Sequence, residues 1–419
     1  MADPTAPAPR APQPLLPLDE ALARLTALAA ERRLTDTESL PTYAALGRVL
    51  AQALVSPLDV PPADNTAMDG YALRAADVAT VGTVLPVSQR IPAGVVGQPL
   101  AAGTAARIFT GAQVPPGADA VVMQEQCEAL PGAVRVNTVP QAGQWVRRRG
   151  EDVTTGAVAL AAGTRLTPQA LGLAATIGAA RVTVVRRPRV ALFSTGDELV
   201  MPGEPLKPGG IYNSNRYTLL GLLHALGCEV SDLGIVPDNL AATRAALKSA
   251  ADEHDLILTS GGVSVGEEDH LRPAAQAEGR IEFWQLSCKP GKPLAVGAIT
   301  RSGAAGEALL MGLPGNPVSS FVTFLLTVAP VLRVLQGASA ALPVAVPLVA
   351  AFDLPRTDKR REFLRARLTP EGRLSLFPNQ SSGVLTSAVW ADGLIDHPAG
   401  ATIAAGDVVR FLPFHALMA

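Results

Sequence analysis

Three stretches of this chain place small residues, and in two cases carboxylates, directly after short apolar runs. RVALF (189–193) leads into STGDEL, DLILT (255–259) into SGGVSVGEED, and LLMG (309–312) into LPGNPVSS. If the apolar runs are parallel strands, all three loops lie at their carboxyl ends, where open α/β sheets bind ligands. Glycine lets a backbone come close to a ligand with its N–H groups exposed, and a helix N-terminus behind the loop favours an anion. The candidate loop residues are Ser194, Thr195, Gly196, Ser260, Gly261, Gly262, Ser264, Gly312, Pro314, Gly315, Asn316 and Pro317. None of the loops has the GxxxxGK[ST] form of a nucleotide-binding P-loop or a convincing GxGxxG.

The acids in these loops raise a cost. Two like charges about 4 Å apart repel by roughly 4 kcal/mol at an effective dielectric near 20. Glu198 and Asp269 therefore converge only if a cation or a raised pKa offsets that repulsion, and Asp238 in GIVPDN closes a further strand. Mg²⁺, a hard ion that takes oxygen donors, fits such a set while bridging phosphate or oxyanion oxygens. Helix capping is the alternative reading of the same acids. Lys289 and Lys292 in CKPGKPLAVG sit on a tight Pro-Gly turn that suits an oxyanion or a phosphate. PPADNTAMDGYAL (61–73) and ARIFTGAQVPPGADAVV (106–122) place Asp69 and Thr110 on turns, and WVRRRGEDV (145–153) reads as arginines closed by their own two acids.

The elements that must hold these loops follow from the remaining pattern. At 419 residues the chain exceeds one ordinary core, and its 48% hydrophobic and 17% charged content is that of a globular protein. A net charge of −2 gives no global field for nucleic acid or an anionic membrane, so neither is an expected partner. The three cysteines form no CxxC pair, the five histidines form no HxH or HExxH, and no GxSxG appears. A disulfide framework, a zinc site and acyl-enzyme chemistry are disfavoured, and a reduced, cytoplasmic setting is the simplest reading. The start of the chain lacks the basic and apolar regions of a signal peptide. The run 318–335 reads as a buried helix because it contains Pro330, Arg333 and several hydroxyls.

The expected organisation begins with a flexible Pro-rich tail at 1–17. Segments 18–52 and 151–187 form a helical or linker domain, with Leu18, Ala21, Leu22, Leu25 and Leu28 at helical spacing and a second helix after Leu40-Pro41. Residues 53–150 form an inserted β-rich domain. Residues 188–335 alternate strand and helix, which predicts a doubly wound parallel α/β sheet. Residues 344–419 return to short strands and predict a β-barrel-like domain. The fold class is α/β multidomain.

DNTAMDGYA, RIFTGA, VRRRGEDV, STGDEL, SGGVSVGEED, KPGKP, GLPGNPVS and RREFLRARL occur in one order along the chain. In this the sequence resembles the molybdopterin molybdenumtransferases, the MoeA and gephyrin E-domain family of molybdenum cofactor biosynthesis. The resemblance implies an elongated homodimer that converts adenylylated molybdopterin and molybdate into molybdenum cofactor and AMP with the help of Mg²⁺. Carried over by motif, Asp69, Thr110, Glu198, Asp238, Asp269 and Lys289 match functional positions, with Pro314 and Pro317 beside them. Glu198, Asp238 and Asp269 would organise the metal, while Lys289, Lys292 and the glycine loops would hold phosphate and molybdate. Asp69 and Thr110, from another domain, would complete the site across the dimer.

One departure stands out. Many members carry a basic residue four positions before the KPGKP lysine, and this chain has Gln285, so Lys292 or an arginine from 147–149 would have to compensate. The competing readings are a molybdopterin adenylyltransferase, which resembles the 188–335 domain alone, and a gephyrin-like scaffold. A partner adenylyltransferase and molybdoenzyme maturation factors are further expectations.

Overall fold

The computed structural model describes residues 15–263, 270–303, 306–339 and 341–418. The chain forms two compact units. One comprises the residues through Glu38, Gly47–Ala51 and Val184 onward, and the other comprises Ser39–Leu46 and Gln52–Thr183.

The first unit is built on a six-stranded sheet ordered Glu229–Val236, Arg189–Thr195, Leu256–Ser260, Glu307–Leu313, Pro293–Thr300, Gly279–Gln285. Strand side chains alternate between faces, so the four inner strands, mostly apolar, bury both sides, while the two edge strands Glu229–Val236 and Gly279–Gln285 are only partly buried. Val190, Leu192, Leu256, Leu258, Leu309 and Met311 enter one core, with Leu219 and Leu223 of the helix Ser214–Ala225 and the helix Pro317–Leu335. Ala191, Phe193, Ile257, Ala308 and Leu310 enter the other, against helices Leu240–Glu253 and Leu271–Glu278. Helices therefore cover both faces, as a doubly wound sheet requires.

The first four strands in this order are parallel, in the expected manner. The last two run antiparallel. They come from IEFWQLSCKPGKPLAVGAIT, which the reading of a parallel sheet did not separate into strands. The connections here are too short to carry a crossover helix, so the chain returns as a hairpin. KPGKP sits at its turn.

The helix Pro317–Leu335 is apolar on all sides, with a mean hydropathy of 1.9, because 94% of its most apolar stretch is buried. It packs against Leu18–Ala30, whose Leu18, Ala21, Leu25 and Ala29 recur at helical spacing. Part of the expected tail is tied down: Leu16 bridges Leu286, donating to the Gln285 carbonyl at 2.7 Å and accepting from the Ser287 amide at 2.8 Å.

The C-terminal sheet in this unit runs Cys288–Lys289, Arg361–Leu368, Gly393–His397, Val408–Pro413, Val346–Val349, with Leu374–Leu376 paired onto Arg361–Leu368. Its edge pair, Cys288–Lys289 with Arg361–Leu368, is parallel and joins the KPGKP turn to the C-terminal region. Leu364, Ala366, Ile395, Val409 and Phe411 form its core.

In the second unit a mixed six-stranded sheet is ordered Ala120–Met123, Gly70–Leu73, Ala105–Ile108, Thr83–Ile91, Ala133–Val136, Cys127–Leu130. Tyr71, Leu73 and Val122 pack on one face, and Ala72, Ala106 and Val121 on the other. The helix Pro168–Thr176 is capped by the Thr167 hydroxyl, which accepts from the Ala170 amide at 3.2 Å. The helix expected after Pro41 is one 3-10 turn, Thr42–Ala44. Gly47, at φ 74°, ends any helical continuation there.

Candidate active site

The carboxyl ends of the parallel strands open onto a cavity of about 910 Å³. Thr195, Gly196 and Glu198 reach it from the first loop. Gly196 has φ 142°, and a Cβ there would come within 2.6 Å of the Glu198 carboxylate, so glycine is what allows that carboxylate to fold back over the turn. Ser260, Gly261 and Gly262 line the cavity from the second loop, and Pro314, Gly315 and Asn316 from the third. Gly261 lies at φ 90° with its amide donating to the Leu313 carbonyl at 3.1 Å, so the second loop is pinned to the strand beside it.

Three helices begin at this edge. Asn213 caps Ser214–Ala225, its Oδ1 accepting from the Arg216 amide at 3.2 Å. Asn239 caps Leu240–Glu253 by accepting from the Ala242 amide at 2.8 Å, directly after Asp238, which lines the cavity. Asn316 precedes Pro317–Leu335. Helix N-termini carry unpaired N–H groups and favour anions. Asn213 also lines the cavity, and its buried Nδ2 has no hydrogen-bond partner among the described residues.

The cationic wall comes from the hairpin turn and the C-terminal region. Lys289 Nζ lies 3.0 Å from Asp358 Oδ2 and 3.1 Å from Glu362 Oε1. Lys292 lines the same cavity and has no ion pair among the described residues. Gly291 fits the turn tightly, since a Cβ there would lie 2.2 Å from Thr323 Oγ1. Arg360 adds a guanidinium whose Nε is 3.4 Å from Asp358 Oδ1. Burial pushes the Asp358 carboxyl up, but the Lys289 ammonium and the Arg360 amide outweigh it and hold the group down at about 2.

Gln380, Ser381 and Ser382 complete the cavity wall. Their loop is held by Arg365, whose amide donates to Gln380 Oε1 at 2.9 Å and whose Nη2 donates to the Ser381 carbonyl at 3.3 Å. The Val318 amide donates to the Ser382 carbonyl at 3.0 Å. Burial drives the Arg365 guanidinium down to about 10, with Glu362 acting in the opposite sense.

Thr195, Gly196, Glu198, Asp238, Ser260, Gly261, Gly262, Lys289, Lys292, Pro314, Gly315 and Asn316 thus share one cavity. Ser194 lies beneath it, its hydroxyl 3.1 Å from that of Ser260, and Pro317 serves as the first residue of its helix. Ser264 and Asp269 lie outside the described residues. Asp69 and Thr110 belong to the second unit, where the Thr110 amide and hydroxyl both donate to Asp69 Oδ1 at 2.7 Å. Those bonds hold the Asp69 carboxyl below its ordinary range.

The arginine run needs a correction. Arg148 pairs with Asp64 at 2.7 Å and Arg149 with Asp59 at 2.5 Å, so the main partners are distant acids rather than Glu151 and Asp152. The residues that sequence reasoning missed are Asn213, Asn215, Ser319, Arg360 and the Gln380–Ser382 loop. YNSN before a helical run carried a capping signal for the first two. Arg360 opens RREFLRARL, but nothing local connects it to KPGKP.

The donor set suits a hard cation. Glu198 and Asp238 offer carboxylate oxygens to one cavity, and Mg²⁺ is commonly held by one or two carboxylates together with substrate phosphates. Among the described residues no group of three or more His, Cys, Asp or Glu gathers.

Fold and cavity together define a multidomain α/β protein with a cavity lined by carboxylates and cations at the edge of a doubly wound sheet. Residues 16–178 match the MoeA N-terminal region (domain I and II), residues 191–334 a probable molybdopterin binding domain, and residues 347–414 the MoeA C-terminal region (domain IV). A molybdopterin molybdenumtransferase of Haemophilus influenzae is 38% identical over 392 residues, covering 92% of this chain and 95% of the relative. One from Nostoc sp. is 39% identical over 380 residues, covering 88% and 86%. The crystal structure of the molybdopterin biosynthesis moeA protein from Pyrococcus horikoshii OT3 superposes with a TM-score of 0.80 at 31% identity, covering 95% of this chain and 99% of that one. The chain belongs to the molybdopterin molybdenumtransferase family.

Proposed function

We propose that this protein inserts molybdate into adenylylated molybdopterin, releasing AMP and molybdenum cofactor. The observation that carries the reading is the single cavity at the strand ends, where glycine turns, the carboxylates Glu198 and Asp238, and the cations Lys289, Lys292 and Arg360 face one space. Membership of the family, with relatives from Haemophilus influenzae and Nostoc named molybdopterin molybdenumtransferase, supports the same chemistry.

In this reading the amide of Gly262 and the helix starts at Asn213 and Asn316 cradle the pterin phosphate. Lys292 and Arg360 balance the charge of the incoming oxyanion, which answers the loss of a basic residue at Gln285. Glu198 and Asp238, with Asp269, would hold Mg²⁺, and the ion supplies charge neutralisation at the pyrophosphate when bound. Asp69 and Thr110 serve the same reaction from the second unit, in a homodimer. A cytoplasmic setting and exchange with a molybdopterin adenylyltransferase and maturation factors belong to the same proposal.

The test is AMP release from adenylylated molybdopterin with and without molybdate and Mg²⁺, in wild type and Glu198→Gln. The proposal expects AMP only when both ions are present and a loss of at least a hundredfold in the variant. AMP release that ignores molybdate would overturn it.

A further inference from the structure

We propose that Glu362 and Asp358, at the edge of the C-terminal sheet, are positioning residues that hold the Lys289 ammonium in one place on the wall of the cavity. Cys288–Lys289 pairs in parallel with Arg361–Leu368, and the register sets Lys289 directly beside Glu362. The backbone pairing and the side-chain pairing therefore select the same partner.

Both carboxylates have partners besides Lys289. Glu362 is 1% exposed, and Arg356 Nη1 lies 3.1 Å from its Oε1 and 3.4 Å from its Oε2. Asp358 Oδ1 accepts from the Arg360 amide at 3.0 Å, leaving Oδ2 to meet Lys289. A lysine ammonium has three N–H donors. One goes to Asp358 Oδ2, and the Glu362 carboxylate holds the ammonium as an ion pair at 3.1 Å, so donor capacity remains for a ligand in the cavity.

A free lysine side chain samples many rotamers and loses that freedom when it binds. Here the freedom is lost on folding, so a ligand meets a donor already in position. The arrangement also explains why a region far along the chain is joined to KPGKP: the C-terminal sheet brings the two acids that orient the lysine. Asp358 is held ionised far below neutral pH, which is consistent with a permanent pair.

The turnover part of this inference rests on the proposed function, whereas the geometry does not. The experiment therefore has two readouts on wild type, Glu362→Gln, Asp358→Asn, Lys289→Met and the double variant Lys289→Met/Glu362→Gln. The first is reductive methylation of the folded protein, with the labelling rates of Lys289 and Lys292 read by mass spectrometry. Lys289 should label more slowly than Lys292 in wild type and several-fold faster in either carboxylate variant. The second is AMP release. Each carboxylate variant should lose about tenfold, the equivalent of one charge-assisted hydrogen bond, and Glu362→Gln should cost nothing more once Lys289 is methionine.

Unchanged Lys289 labelling in both carboxylate variants would overturn the proposal. So would losses that multiply in the double variant, because a general structural role for Glu362 does not depend on Lys289. If Glu362→Gln does not fold, Asp358→Asn, at a partly exposed position, decides the labelling alone. If wild type releases no AMP, the functional reading falls and the labelling still decides the positioning.

Discussion

Replacing Gly261 by alanine should destabilise the first unit and disorder the cavity floor. Gly261 holds φ 90°, a conformation that costs an L-residue roughly 1–2 kcal/mol. The new Cβ would also lie 2.7 Å from the Thr195 carbonyl oxygen, a backbone atom at the end of the neighbouring parallel strand. Forcing a methyl group against a packed neighbour adds roughly 1–3 kcal/mol. The sum is about 2–5 kcal/mol, and even its low end shifts the folded-to-unfolded ratio by about thirtyfold. Gly315 is the control. It lines the same cavity, but its Cβ would meet nothing within 4 Å, so Gly315→Ala should change stability by less than about 0.5 kcal/mol. Urea unfolding of the two variants beside wild type makes the comparison. Equal midpoints for Gly261→Ala and Gly315→Ala would refute the reasoning.

Further outcomes follow from particular side chains. Asp358 is depressed from 3.8 to about 2, so its stabilisation is complete above pH ~4 and lost as pH falls through about 2. Asp358→Asn should therefore lower stability at neutral pH and shallow the acid limb of unfolding, whereas an unchanged limb contradicts the pairing. Asp69→Asn should leave the urea midpoint in place and reduce AMP release by about a hundredfold; wild-type turnover would remove Asp69 from the reaction. Burial raises the Cys127 thiol to about 11 and the Cys288 thiol to about 12, so neither ionises at pH 8. Iodoacetamide should label both only when the chain is unfolded, and fast labelling of the native protein at Cys288 would contradict its burial.

The cavity was legible wherever one stretch of sequence carried both a strand and its loop. RVALF-STGDEL and DLILT-SGG place glycine and polar residues soon after the apolar runs VALF and LIL, a local pattern that fixes both the strand and the edge it ends on. The hairpin around KPGKP was less legible, because its apolar residues read equally well as parallel or antiparallel strands; only the short connections separate the two. Arg360, Glu362 and Ser382 could not be read at all. Arg360 reaches the cavity and Glu362 reaches Lys289 because residues 288–289 pair with residues 361–362, a contact between segments far apart in sequence that neither segment signals by itself. The same distance hid the two acids that hold Lys289.

The most direct test of the central claim is a crystal of the protein soaked in tungstate, the heavy analogue of molybdate, with its position read from anomalous scattering. The account predicts a site inside the cavity, beside Lys292 and Arg360 and across from Glu198 and Asp238. Tungstate bound only elsewhere, with this cavity empty at saturating concentration, would contradict it.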